Sequence, residues 1–337
     1  MVKIEIYADE IITPHDFNNK KKNIIGIGCL FVPEGWKEIL LNNLINARCL
    51  FEKSKTWHWD YNKCPFCNEC NPEWHKQNMC EIHNVTIRKS ESSNSKIKIT
   101  KKWLNYLYQN RTPIYFNILY LDLDVLNIDC FGTRKEHENI YNRFFRTVID
   151  YGVKAFFGNY ERVIIKKVYQ DNGNMKNHSY FPYLNLKKLD DMTSKNITIE
   201  NAEIQFIESD HKYYLGKDQT LVEEAHIIQY IDLIIGTISQ NIFYLSNDVL
   251  KKEMAMIVRP LVAGLTNKPY DKNSIYNYYG KQKISFFPKE KITHSKEKII
   301  DVFGNISEIF KKSQFYTNRE IEMPLYNPTQ ESLNKWC

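Results

Sequence analysis

The stretch VEEAHIIQYIDLIIGTIS, residues Val222–Ser239, decides the fold. Ile227, Ile228, Ile231, Leu233, Ile234, Ile235 and Ile238 make it apolar on more than one side, which predicts a helix packed against a sheet. Asp232 stands in the middle of that run. Burying an ionised carboxylate alone costs several kcal/mol, so Asp232 needs a cation, a hydrogen-bond donor or a cleft. Gln229 lies one turn before it and Gly236 one turn after, so the three share a stripe, and the glycine allows a neighbouring backbone to approach closely. Such a stripe against a sheet end suits a metal; it equally suits one paired or half-exposed aspartate.

Working outward, several apolar strands stop at acids. Val2, Ile4, Ile6 and Ala8 alternate with Lys3, Glu5, Tyr7 and Asp9, a period of two that ends at Asp9-Glu10. TPHDFNNKKK then reads as a polar loop, and NIIGIGCLFV, residues Asn23–Val32, as a central strand covered on both faces. Helical spacing follows from Pro33, with Trp36, Ile39, Leu40, Leu44 and Ala47, and again near Ile99–Leu107. PIYFNILYL, Pro113–Leu121, is a strand that ends in Asp122 and Asp124; Lys135–Phe157 is a long helix. RVIIKKVY, Arg162–Tyr169, is a strand ending in Gln170-Asp171, and Ala202–Ile207 one ending in Glu208-Ser209-Asp210. Leu250–Val258 reads as a helix stopped by Pro260, Lys283–Phe287 as a strand, and the remainder to Cys337 as mostly irregular.

The 337 residues are 43% hydrophobic and 14% aromatic, enough for a large core. No stretch is apolar for long enough to span a bilayer, and MVKIEIYADE reads as a strand rather than a leader, so the expected compartment is the cytoplasm. Lys+Arg of 46 against Asp+Glu of 40 gives +6, a balance that permits a nucleic-acid partner without requiring one. Four of the eight cysteines crowd between Cys64 and Cys80. CPFCNEC and CEIH place Cys64, Cys67, Cys80 and His83 as C-x2-C and C-x2-H pairs twelve residues apart, a tetrahedral Zn2+ set, with Cys70 and His75 as alternative ligands. The zinc would be structural, stapling a small ribbon or knuckle insertion over residues 56–95. Trp57, Trp59, Tyr61, Phe66 and Trp74 within it would either touch nucleic acid or pack around the metal.

Asp9 and Asp171 at strand ends and Asp232 in the last core helix are positions that one sheet face can bring together. Clustered carboxylates call for divalent cations, and two such ions about 4 Å apart support phosphodiester cleavage. YADE (Tyr7–Glu10), YQDNG (Tyr169–Gly173), FIESD and IIQYIDLIIGTIS (Ile227–Ser239) resemble the bacterial and phage family catalogued as domain of unknown function 3800. The likeness covers residues 1–242 apart from the insertion. It implies an α/β fold with a mixed sheet: a ribonuclease H-like core over 1–55 and 96–245, helices on both faces, and a C-terminal extension over 246–337. It further implies a nuclease with Mg2+ or Mn2+ held by Asp9, Asp171 and Asp232, Glu10 and Asp210 as secondary acids, nucleic acid as partner, and a setting in phage defence that includes a protein partner. Family members carry a Glu-x-Lys-Trp segment that Thr56-Trp57-His58-Trp59 occupies here; Thr56 replaces its acid, His58 its lysine, and Ile11 the serine after Asp-Glu. Glu10, Asp60 or His58 would have to supply the missing arm. The alternative is an inactive adaptor that binds nucleic acid or protein through the zinc insertion.

Overall fold

The computed structural model describes residues 1–307 apart from 18–19, 108–112, 125–136, 173–195, 202, 244, 268–280, 288–298 and 301–305. Its centre is a mixed sheet of seven strands: β1 (Val2–Phe17), β2 (Lys20–Pro33), β3 (Tyr115–Asp122), β4 (Val163–Asp171), β5 (Ile197–Ile199), β6 (Ile204–Ile207) and β7 (Gln282–Phe287). They run in the order β5-β4-β1-β2-β3-β7, and β6 joins β4 beyond β5. β2 is antiparallel to both β1 and β3, while β1–β4, β3–β7, β4–β5 and β4–β6 pair in parallel. One strand therefore runs against the other six. A two-stranded piece, β8 (Ile299–Ile300) with β9 (Ile306–Ser307), stands apart from this sheet.

Among the described residues six α-helices accompany the strands: α1 (Glu34–Asn46), α2 (Pro72–Asn78), α3 (Asn94–Tyr106), α4 (His137–Phe157), α5 (Gln219–Phe243) and α6 (Val249–Asn267). Their starts are written locally. Ser93 caps α3 by accepting the Lys96 amide, and Asn71 caps α2 by accepting the Glu73 amide, with Pro72 in the first helical position. Two cores lie on opposite faces of the sheet. Ile6, Ile27 and Phe31 pack with Phe145, Ile149 and Val153 of α4, whereas Tyr7, Leu30 and Phe116 pack with α1, α3, α5 and α6. Period-two alternation along β1 and β2 sends their side chains to both cores.

α5 is buried from Glu224 to Phe243. It lies close on β2 because Gly28 has no side chain; a Cβ there would stand 2.3 Å from Cδ1 of Ile235. Among the described residues no helix is long and apolar enough to cross a membrane.

Two expectations change. The β1–β2 hairpin does not stop at a loop after Glu10, because pairing continues to Phe17 opposite Lys20. Asp9 and Glu10 are therefore internal to β1, at the point where its parallel pairing with β4 ends at Ala8 opposite Gln170. Nor does Pro260 stop α6, which carries it internally. Val258, Leu261, Val262 and Leu265 are buried across that point, and their packing outweighs the hydrogen bond a proline removes. The expected irregular tail beyond residue 307 falls outside the described residues.

The segment expected as a separate insertion is fastened to α5 by Arg48. This fully buried guanidinium donates to His226 Nε2 at 2.9 Å, to the carbonyls of Asn78 and Cys80 at 2.9 and 2.7 Å, and to Gln229 Oε1 at 3.3 Å, and it lies over the Trp103 ring. Replacing Arg48 with Met strands both carbonyls, at a cost of roughly 3 kcal/mol. We expect the urea midpoint to drop accordingly and cleavage within 56–84 by a nonspecific protease to accelerate; an unchanged midpoint would contradict this anchoring role.

Candidate functional site: an acidic cleft between the sheet and helix α5

Asp9, Glu10, Asp171 and Asp232 line a single cleft of about 610 Å³, together with His83, Asn84, Arg88 and Lys251. β1 and β4 are parallel neighbours, so the register that ends at Ala8 opposite Gln170 brings Asp9 and Asp171 side by side. Alternation turns consecutive residues apart. Asp9 shares the Tyr7 face, towards α5, while Glu10 turns to the α4 side, where it accepts from Gln170 Nε2 at 2.6 Å. Asp232 reaches the cleft from α5.

The helix stripe works as its spacing suggests, and its neighbour is the segment 82–84. Gln229 accepts the Ile82 amide at 2.9 Å and donates to the Ser209 carbonyl at 2.5 Å. Asp232 accepts the Asn84 amide at 2.6 Å. Gly236 leaves room for the Asn84 side chain, whose atoms would lie within 2.3 Å of a Cβ at that position. One turn of helix after another thus grips the chain that carries His83, and His83 Nε2 stands 3.8 Å from Asp232 Oδ2.

Electrostatics separates these acids from ordinary surface carboxylates. Burial, then the charges of Asp232, Glu10 and Asp171, hold Asp9 well above the usual carboxylate range. Burial and Asp171 push Glu10 up to about 8, against the donated bond from Gln170. Asp232 is pushed up to about 6 by burial, with His83 and the Asn84 amide holding it down. Asp171 is raised by burial too, and Glu208 and Glu81 add to that while His83 and the Asn172 amide oppose it. At neutral pH the cleft retains protons that a bound cation would displace.

The remaining predicted residues lie elsewhere. Asp210 is not in the cleft: it caps the short turn 211–213 by accepting the Lys212 amide at 3.1 Å, and it pairs with the Lys212 ammonium at 3.4 Å. An acid after a strand is as well suited to starting the next turn. The quartet Cys64, Cys67, Cys80 and His83 is not gathered. Cys64, Cys67 and Cys70 surround Tyr61, whose hydroxyl donates to the Cys67 and Cys70 carbonyls. Cys80 packs on the α5 core beside Arg48, and His83 faces the acids. The alternative ligand His75 stacks on Trp57, ring centroids 4.2 Å apart, and bonds the His58 carbonyl at 2.7 Å. Thr56, His58 and Asp60 do not line the cleft, so none of them supplies the missing acid.

Among the described residues no three His, Cys, Asp or Glu side chains stand close enough to hold a metal as they are placed. The four acids share a cleft and one another's field rather than a finished coordination shell. Their donor chemistry fits hard divalent cations, and the imidazole of His83 extends the fit to Mn2+. The zinc quartet is not brought together among the described residues. Sequence reasoning missed His83 as a cleft residue because the cysteine spacing claimed it; Arg88 and Lys251 carried no motif.

In metal-free protein the folded state keeps the Glu10 proton up to about pH 8, against an ordinary value of 4.5. Between those values the folded chain binds more protons than the unfolded chain, so stability falls as pH rises through the window. We expect the melting temperature in EDTA to decline from pH 4.5 to 8 and the decline to be shallower in Glu10→Gln. Parallel pH profiles for the two proteins would refute the assignment.

In comparisons with known proteins, no family model matches this chain and no curated protein matches it, so the chemistry of the cleft rests on its own side chains.

Proposed function

We propose that the protein is a divalent-metal-dependent nuclease that hydrolyses phosphodiester bonds in nucleic acid at the acidic cleft. The observation that carries this reading is the meeting of Asp9, Glu10, Asp171 and Asp232, from three elements, in one cleft that also presents His83, Arg88 and Lys251. A purely structural acid cluster would be neutralised by bonded lysines or arginines, and no such ion pair to Asp9, Glu10, Asp171 or Asp232 occurs among the described residues. The sheet order, with β2 alone reversed and the acids beside the carboxyl end of β4, supports a ribonuclease H-type core.

Asp9, Asp171 and Asp232 would hold Mg2+ or Mn2+, which supplies activation of water and stabilisation of the leaving oxygen. The chain's own contribution is positional. The Asn84 amide fixes one oxygen of Asp232, and Glu10, held by Gln170, keeps a proton at neutral pH beside Asp9. His83, partly exposed at 3.8 Å from Asp232, is placed to bind a metal. The cleft has four acids without Thr56. A defence role and a protein partner belong to the same proposal and rest on the family resemblance alone.

The adaptor reading has less support. Trp57 is buried and Trp59 packs against His211 and His226, which leaves Trp74, 62% exposed, as the outward tryptophan of that segment. A stacking surface for bases needs more than one ring.

The test uses end-labelled single- and double-stranded RNA and DNA with MnCl2, MgCl2 or EDTA. We expect metal-dependent cleavage, and a loss of about 100-fold or more in Asp9→Asn and Asp232→Asn, with circular dichroism unchanged. Cleavage that persists at full rate in the double variant would sink the proposal. Binding without cleavage under every metal condition would establish the adaptor instead.

A further inference from the structure

The cleft has a cationic side that makes no direct ion pair with its carboxylates among the described residues. Lys251, in the first turn of α6, lines it, and among the described residues its ammonium has no hydrogen-bond or ion-pair partner. The two acids near it in sequence are already engaged, Glu253 by the Lys101 ammonium at 2.6 Å. Asp248 Oδ1 accepts the amides of Leu250 and Lys251 at 2.9 and 3.3 Å, and its Oδ2 accepts the Lys89 amide at 3.1 Å. Arg88 lines the same cleft from the segment held against α5. Its Nε donates to the Val85 carbonyl at 3.1 Å and its Nη1 stands 3.6 Å from Glu91, which leaves Nη2 unpartnered among the described residues.

These two cations feel each other. Burial and then the Arg88 guanidinium hold the Lys251 ammonium below its ordinary value, against the charges of Asp232, Asp248 and Glu91. Two like charges placed together in one cleft are relieved by an anion between them, and a phosphate accepts from both a guanidinium and an ammonium. A counter-ion for Asp232 alone would need one cation rather than two, and it would be expected to bond the carboxylate. Asp232 feels Lys251 through space, but the groups that contact it are the Asn84 amide and His83.

We propose that Lys251 and Arg88 form a phosphate-anchoring subsite that seats the backbone of a nucleic-acid strand across the carboxylates. This rests on the nuclease reading and adds to it the side from which the strand is held. Both cations carry charge without base-edge geometry imposed on them, so the anchor is indifferent to sequence and acts on the phosphate.

The experiment uses the full chain and a labelled single-stranded 12-mer, as DNA and as RNA, with cleavage measured in MnCl2 and binding measured by anisotropy in CaCl2 over a salt series. We expect Lys251→Met to raise KM about tenfold and to reduce the slope of log affinity against log salt by about one, because one phosphate contact is lost. The Mn2+ concentration for half-maximal rate should stay at the wild-type value, and Lys251→Arg should restore most of the affinity. Arg88→Gln should act in the same direction, which keeps the test open if one variant folds poorly. A wild-type KM and salt slope in both Lys251→Met and Arg88→Gln would overturn the subsite. So would a changed Mn2+ requirement at unchanged KM, since that is the signature of a counter-ion to Asp232. Failure of the wild-type chain to cleave at all is a different result: it removes the nuclease reading itself.

Discussion

Keeping Asp232 buried among other carboxylates is the constraint on which the structure turns. The contrast with Glu224, on the same helix, shows what is unusual. Glu224 is 1% exposed and has a bonded cation: the Lys37 ammonium lies 2.6 Å away, shared with Glu5, while the Tyr7 and Tyr169 hydroxyls donate to the same carboxylate. Two turns on, about 12 Å along the axis at 1.5 Å per residue, Asp232 has a backbone amide and a histidine but no bonded lysine or arginine. One carboxylate stabilises the junction of α1, β1 and α5. The other is left with an unmet electrostatic demand, and its neighbours Asp9 and Asp171 increase that demand.

The fold around this demand is stiff. Arg48 and Gln229 tie the segment 78–82 to α5 through buried hydrogen bonds, and Gly236 lets Asn84 come close enough to bond Asp232. His83, Asn84, Val85 and Arg88, at the end of the region that composition marks as a separate module, are by this means part of the cleft wall. His83 faces Asp232, and Arg88 lines the same cleft, because that segment is pinned. Groups that must act together at a cleft gain from being set on elements that cannot drift, since a misplacement of about 1 Å weakens any joint contact with a ligand.

Much of this was legible in the sequence. Period-two alternation marks β1, the unbroken apolar run marks β2, and the isoleucine-rich stretch around Asp232 marks α5; a sheet with parallel neighbours then brings Asp9, Asp171 and Asp232 together. What failed did so for physical reasons. Alternation cannot show where a hairpin turns when the polar residues after it also pair, so Asp9 was read as a strand end although β1 continues to Phe17. An aspartate after a strand satisfies turn chemistry as well as site chemistry, and Asp210 does the former. Spacing alone cannot tell which partner a histidine meets: C-x2-H is met by Cys80 and His83, yet the pull of Gln229 and Asp232 on that backbone sends the two side chains to different neighbours.

Lys251 and Arg88 mark the further limit, because a lone basic residue has no pattern from which its neighbours follow. Their meaning comes from what surrounds them. The cleft carries negative charge from the sheet and α5 and positive charge from α6 and the 84–93 segment, without direct ion pairs joining the two sets among the described residues. Opposite charges free to approach would collapse into ion pairs and close the cleft. Here the Asn84 amide holds Asp232 in place, Asp248 is spent on capping α6, and Arg88 is tethered to Val85 and Glu91, so the two sets stay apart across the space. A ligand able to join them must be anionic on one side and accept cations on the other, and a phosphodiester with its divalent metal meets both conditions.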